Sequence, residues 1–220
     1  MLAVDLPRHT TKWMNQQKIS VVQFSGKGPV SVNIDGVDVV KMGVETLVAR
    51  GCRRLALWSE TWSEPNGRQE GTRSEARVFR RALATHGLEF QENWLRPQAR
   101  AATGRSSYEL ACDWVSQSFK APRADWPDGL IINNDILARD VMLALQRLDI
   151  VPNRDIIIAS HANSGSPILR GYEDDLTLIE FDSGEIVQAM FDQLETLGRG
   201  ESPEQEHIRI EPRIRRGAGD

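Results

Sequence analysis

Apolar residues recur along the chain with two different spacings, and segments with the two spacings alternate. In five segments the apolar residues lie three or four positions apart, which is typical of one face of a helix. The predicted helices are residues 38–50, a segment through 78–83 that ends at Gly87, a segment that opens at Ser106, one that starts at Asp135, and one from Ser183 to Gly198.

Short apolar runs lie between these helices and predict strands. They are residues 20–24, 54–58, 129–133, 156–160 and 177–181, with a late one at 207–211. Several of the runs, such as 156–159, are apolar at every position, which indicates strands that are covered on both faces. The alternation of such strands with helices predicts an α/β fold with largely parallel sheets.

Two polar loops, 59–72 and 97–105, interrupt this alternation. Loops of this length in an α/β protein are usually functional or mobile. The strand–helix units are also unevenly distributed, because about one and a half precede Arg54 and about three follow it. Either the opening segment around Trp13 packs as an extension, or the front of the first lobe is absent.

Composition and charge exclude several classes of function. The 220 residues, 40% of them hydrophobic, can bury a core as one large domain or two small lobes. A net charge of −4 favours neither nucleic acid nor an anionic membrane. No apolar run approaches the roughly 18 residues of a membrane span, and the N-terminus lacks a secretion signal. Cys52 and Cys112 form no metal or disulfide pattern. We expect a reduced cytoplasmic protein without metal or cofactor.

The segment 127–140 gives the clearest indication of a site. Its apolar run stops at Asn133-Asn134-Asp135, and a helical pattern starts there without a gap. In open α/β sheets, ligands bind where strands end and the N-termini of helices expose N–H groups. We expect Asp135 to cap the helix and Asn134 to direct its amide towards a ligand.

Other candidates follow neighbouring strands. His161 and Asn163 come after the run 156–160 and either face a ligand or bond to their own loop. Trp58 and Glu60 come at the end of run 54–58, and an aromatic face beside a carboxylate suits a sugar. The alternative is a core tryptophan and a solvated glutamate.

Signatures of catalysis are mostly missing. The chain has no Gly-x-Ser-x-Gly motif, and the glycines near Ser25 lack the spacing of a phosphate-binding loop. A dyad of His161 with a carboxylate stays open, but the sequence names no partner for it. The basic residues 213–216 are expected to form a solvated tail rather than a patch that binds nucleic acid.

Several motifs, in order, resemble those of LacI-type transcription regulators. The resemblance runs over about 20–214 and is carried by Asn33-Ile34-Asp35 with the helix and strand up to Leu57, by Phe79 to Leu88, by Pro127 to Ala138, by Val151 to Ile158, and by Asp175 to Ile179.

This resemblance implies a periplasmic-binding-protein-like effector domain with two Rossmann-like lobes and a small molecule, often a sugar or nucleobase, in the cleft. Such regulators are usually dimers with an N-terminal helix-turn-helix. That module and two or three units of the first lobe are expected to be missing here. We expect an incomplete first lobe of residues 1–53 plus 182–200, a second lobe of 54–181 plus 201–214, and a tail of 215–220.

The chain departs from the family pattern at the expected site. The family's ligand-holding arginine falls on Glu75, and its Gly-x-Asp after the buried strand is replaced by Ser160 to Asn163, whereas Asn134 matches the ligand-facing position. The predicted ligand-binding residues are Asn134, His161, Asn163, Trp58, Glu60 and Glu75.

The sequence therefore predicts the sugar-sensing effector domain of a LacI-like or GntR-like regulator. It would be a homodimer in the full-length protein and would bind DNA only through the absent module. The rival functions are a solute-binding protein of a sugar transporter and an α/β enzyme that uses His161.

Overall fold

The computed structural model describes residues 1–4, 6–25, 28–61, 70–99 and 105–215, with the side chains of 8, 60–61, 70–73 and 97–99 left out. The helices are α1 (Arg8–Gln16), α2 (Gly36–Ala49), α3 (Glu70–Thr85), α4 (Ser107–Ser118), α5 (Asp135–Gln146) and α6 (Ser183–Gly198). The strands are β1 (Leu2–Val4), β2 (Val22–Phe24), β3 (Ser31–Asn33), β4 (Leu55–Thr61), β5 (Leu95–Ala99), β6 (Gly129–Ile132), β7 (Ile157–Asn163), β8 (Thr177–Phe181), β9 (His207–Arg209) and β10 (Arg213–Arg215).

All five predicted helices are confirmed as α2 to α6, and all six predicted strands are present. The α/β class with largely parallel sheets is also confirmed. No helix in the described part of the chain is long and apolar enough to cross a membrane.

The chain forms two compact units. The first unit contains residues 1–35 and 181–212 and is built on a four-stranded sheet in the order β1-β2-β3-β9, whose strand pairs are all parallel. Helix α6 packs against β1, β2 and β3. The opening segment extends this sheet, because β1 pairs with β2.

The second unit contains residues 36–180 and 213–220, and its sheet has the order β10-β8-β7-β6-β4-β5. Leu130 and Ile132 belong to a core that includes residues of α4 and α5. Ile131, between them, contacts α2 at Gly43, where an added Cβ would lie 3.0 Å from the Ile131 side chain. Successive side chains of a strand point to opposite faces, so helices cover β6 on both sides, which explains its unbroken apolar sequence.

The unit boundaries differ from the predicted lobes in two places. Residues 36–53 belong to the second unit, because α2 packs on β4, β6 and β7. Residues 201–212 belong to the first unit, because β9 pairs with β3. Residues 213–215, expected to lie in a solvated tail, are exposed but form a strand, because they pair with β8 in antiparallel orientation as β10.

Candidate functional site

Polar residues collect at the carboxyl ends of β4, β6 and β7 in the second unit. Ser59 lies in the last part of β4, Asn133 directly follows β6, and His161 and Asn163 lie in β7. Because β4, β6 and β7 are parallel neighbours, their carboxyl ends form one edge of the sheet. Helix α5 begins at this edge with Asp135.

The roles of Asn134 and Asp135 differ from the prediction. Asn134 has an extended backbone and is the N-cap of α5, with its side-chain oxygen accepting the Leu137 N–H at 2.9 Å. The expectation that Asp135 caps the helix is wrong, because helical geometry starts one residue earlier than the sequence suggested. Asp135 is instead the first helical residue and is only 6% exposed. A ligand contact of Asn134 stays a prediction.

A cavity of about 420 Å³ lies beside the end of β7. Asp135 and Asn163 line it together, and the Asn163 amide donates to the Asp135 carboxylate across 3.5 Å. The remaining wall comes from β7, the segment after it, β8 and β10, and it consists of Ala162, Ser164, Gly165, Ser166, Leu169, Arg170, Glu173, Leu178, Glu180 and Arg215. One predicted residue, Asn163, thus lines a cavity at the expected edge.

Most charges in the cavity wall are paired. The Arg215 Nε donates to the Glu180 carboxylate at 2.8 Å. The Glu173 carboxyl accepts backbone N–H groups, including that of Gly171, and this lowers its pKa, with further lowering from nearby Arg215 and Arg170. Arg215 of β10 is therefore paired with Glu180 and is also a charged neighbour of Glu173.

His161 has Asp135 as an electrostatic neighbour. Burial of the imidazole lowers its pKa, and the Asp135 carboxylate opposes this shift only in part. A neutral imidazole at neutral pH can donate and accept hydrogen bonds as a binding group. The sequence did not identify a carboxylate near His161, and the structure shows that this neighbour is Asp135.

Glu75 joins three elements of the second unit. Its carboxylate, 6% exposed, accepts the Ser59 hydroxyl at 2.7 Å and the Asn133 amide at 2.6 Å. An added Cβ at Gly36, the first residue of α2, would lie 2.6 Å from the Glu75 carboxylate and 2.5 Å from the Asn133 amide. The contacts of Glu75 fix α3 to the ends of β4 and β6, and its predicted contact with a ligand stays a prediction.

Sequence reasoning missed Ser59 and Asn133 as members of this cluster. Both are polar residues at the end of a buried apolar run, and this position is the sequence feature that could have identified them. Their partner on α3 could not be named, because it is distant in sequence from Asn133.

The last two predicted residues, Trp58 and Glu60, are not placed in the cavity wall. Trp58 is fully buried and packs edge-to-face on Trp114 at 5.9 Å between ring centroids. This contact favours the core role, since the indole has no exposed face for a sugar. The side chain of Glu60 falls outside the described residues.

The fold and site define an α/β binding domain with polar groups at a sheet edge. The family model of the periplasmic binding protein-like domain matches residues 44–218, which is most of the chain. The chain therefore belongs to this family, whose description names binding and no reaction, in agreement with the expectation that the chain is not an enzyme. No curated protein sequence matches the chain.

Three solved structures illustrate the likeness in fold. A regulatory protein of the LacI family from Chloroflexus aggregans has a TM-score of 0.79 and 20% identity, over 99% of this chain and 75% of that one. The transcription regulator CcpA of Lactococcus lactis has a TM-score of 0.76 and 18% identity, over 97% and 75%. A LacI family transcriptional regulator from Lactobacillus casei with bound glucose has a TM-score of 0.70 and 19% identity, over 99% and 77%.

Proposed function

We propose that the chain is the effector-sensing domain of a LacI-like or GntR-like transcription regulator and that its effector is a small sugar-like molecule. The family match supports a binding role, and the similar folds of regulators, one with bound glucose, support the class. The observation that carries the proposal is the cavity at the end of β7, where Asp135 and Asn163 meet.

The cavity has the groups that a polyol needs. A sugar hydroxyl both donates and accepts, so it is best served by a mixture of acceptors and donors. Asp135 accepts, while Asn163, Ser164 and Ser166 do both. The contact of 3.5 Å between Asn163 and Asp135 is long for a hydrogen bond, so a ligand hydroxyl can replace it at little cost.

Sensing requires that the effector bind one conformation better than another. By linkage, an effector that changes the affinity for DNA is itself bound with a changed affinity when DNA is present. DNA binding through a separate N-terminal module, dimerisation, a cytoplasmic location and a place for the effector between lobes stay predictions from the resemblance.

Calorimetric titration with a panel of neutral monosaccharides tests the binding role. We expect at least one to bind, and Asn163→Ala to weaken it about tenfold, the effect of losing one hydrogen bond of about 1.4 kcal/mol. Asn93→Ala is the matched control, because Asn93 is exposed and outside the cavity. Equal binding by both variants would contradict the proposed site. A sugar recovered unchanged after incubation excludes turnover.

A solute-binding protein of a transporter is the second candidate, since the family description fits it as well. Deletion of the gene in its source organism separates the two functions. A regulator predicts altered transcripts whose levels respond to the effector. Lost uptake of the sugar with unchanged transcription would favour the transporter.

A further inference from the structure

Asp135 is a buried carboxylate without a cationic partner in the described part of the chain. Its oxygens accept the N–H of Ile136 at 2.9 Å and, more weakly, the Asn163 amide at 3.5 Å. The N-terminus of α5 offsets part of its charge. A carboxylate that is 6% exposed is ordinarily paired or fully hydrogen-bonded, and these two contacts leave most of its acceptor capacity unused.

The cations in the same cavity wall are engaged by other acids. Arg215 is paired with Glu180, and Arg170 is a neighbour of Glu173 that lowers the pKa of its carboxyl. The wall contains three carboxylates and two guanidinium groups, so it has an excess of one negative charge, and Asp135 is the acid left over.

The described lining also contains no aromatic side chain. Sugars that are read by their C–H faces stack on aromatic rings, and the cavity offers only Ala162, Leu169 and Leu178 as apolar surface. Recognition here must therefore depend on hydrogen bonds and charge.

We infer that the cavity selects a small polyhydroxylated ligand with a primary ammonium group, which Asp135 holds as its counter-ion. An ammonium group offers three donors and fits a carboxylate beside the Asn163 and serine side chains, which bind the hydroxyls. A volume of about 420 Å³ accommodates a molecule of monosaccharide size. This inference rests on the proposed function and names the chemical class of its effector.

The test is a calorimetric titration of the full chain with four related sugars: D-glucosamine, D-glucose, N-acetyl-D-glucosamine and D-glucuronate. They share one ring and differ in charge or in one substituent. We expect glucosamine to bind about ten- to hundredfold more tightly than glucose, the range typical of a hydrogen bond to a charged group. N-acetylglucosamine, which lacks the charge, is expected to lose this advantage.

Asp135→Asn removes the charge and keeps the shape, so it is expected to abolish the preference for glucosamine over glucose. Asp125→Asn is the matched control, because Asp125 is exposed in the same unit and outside the cavity. Raised salt should weaken glucosamine binding and leave glucose unaffected. If Asp135→Asn does not fold, the wild-type series and its salt dependence decide the matter alone.

The outcomes separate this inference from the proposed function. Equal binding of glucose and glucosamine, or tighter binding of glucuronate, would overturn the ammonium assignment and leave a sugar sensor in place. Absence of binding by all four sugars would overturn the inference, and failure of the whole monosaccharide panel would overturn the proposed function as well.

Discussion

At the scale of single residues, the Glu75 carboxylate connects α3 to the ends of β4 and β6. It accepts from Ser59 and Asn133 while almost fully buried. Glu75→Gln keeps the shape but removes the charge and leaves one acceptor oxygen, so one of the two charge-assisted hydrogen bonds is lost or must reverse its direction. We expect it to lower the free energy of unfolding by about 1–3 kcal/mol, measured by urea denaturation. The exposed Glu89→Gln should change it little, and equal stability of both variants would contradict the assigned role.

Gly36 shows a second constraint at the scale of a single residue. A Cβ there would lie 2.5 Å from the Asn133 amide and 2.6 Å from the Glu75 carboxylate. We expect Gly36→Ala to destabilise the protein by about 1–3 kcal/mol through overpacking. Gly198→Ala, where a Cβ meets nothing within 4 Å, should be neutral or stabilising. Thermal unfolding of the two variants measures the difference. An unchanged stability of Gly36→Ala would contradict this expectation, because it would show that Glu75 and Asn133 can shift to accommodate a Cβ without loss of stability.

His161 gives the protein a predicted dependence on pH. Burial lowers its pKa in the folded state, so the unfolded chain binds a proton first as the pH falls below about 6.5. The contribution of His161 to stability is therefore complete above this pH and is lost as the pH falls towards the folded-state pKa. Urea unfolding at pH 7.5 and 5.5 measures the effect. The free energy of unfolding should fall less between these pH values in His161→Gln than in the wild type or in the exposed His86→Gln. Identical losses would contradict this account.

At the scale of elements, α5 depends on its cap at Asn134. Asn134→Ala should cost about 1 kcal/mol, because it removes the acceptor for the Leu137 N–H. Asn134→Asp keeps the cap, replaces the amide donors by a carboxylate oxygen and adds a negative charge that the helix N-terminus favours, so stability should stay near that of the wild type. Comparing stability and sugar binding in both variants separates the cap from the predicted ligand contact. Weakened binding in Asn134→Asp at unchanged stability would support that contact, and unchanged binding would remove it.

Elements with a long periodic signal could be predicted from the sequence, whereas the short strands, apart from β2 and β9, could not. Helices α2 to α6 have apolar stripes over 12 to 16 residues. Strands β1, β3 and β10 have three residues each, too few to show an alternation. Helix α1 was missed because Thr11 and Met14 are the buried residues of a mostly polar segment. The three short strands form through pairing with other strands, as β10 does with β8.

At the scale of the molecule, the boundaries of the units were less predictable than the fold class. The chain passes from one unit to the other after residues 35, 180 and 212. Apolar spacing identifies α2 as a helix but does not say which sheet it covers. That depends on shape at Gly43 and Ile131, which sequence periodicity does not encode.

The candidate site was predictable as a region and only partly as residues. The direct change from strand to helix at residues 133–135 correctly indicated the carboxyl edge of the sheet, and Asn163 lines a cavity there. The expected cap at Asp135 was wrong, because the extended backbone of an N-cap belongs to Asn134, and the ligand contact of Asn134 stays a prediction. The burial of Glu75 depends on Ser59 and Asn133, which lie on two other elements.

The central claim is that a sugar-like effector binds between Asp135 and Asn163. The most direct measurement is a nitrogen-15 NMR titration of the side-chain amides with a monosaccharide that stabilises the protein. We predict that the Asn163 amide signals shift and saturate with the same affinity as calorimetry gives, while those of exposed Asn93 stay fixed. Saturable binding that leaves the Asn163 signals unchanged would contradict the claim.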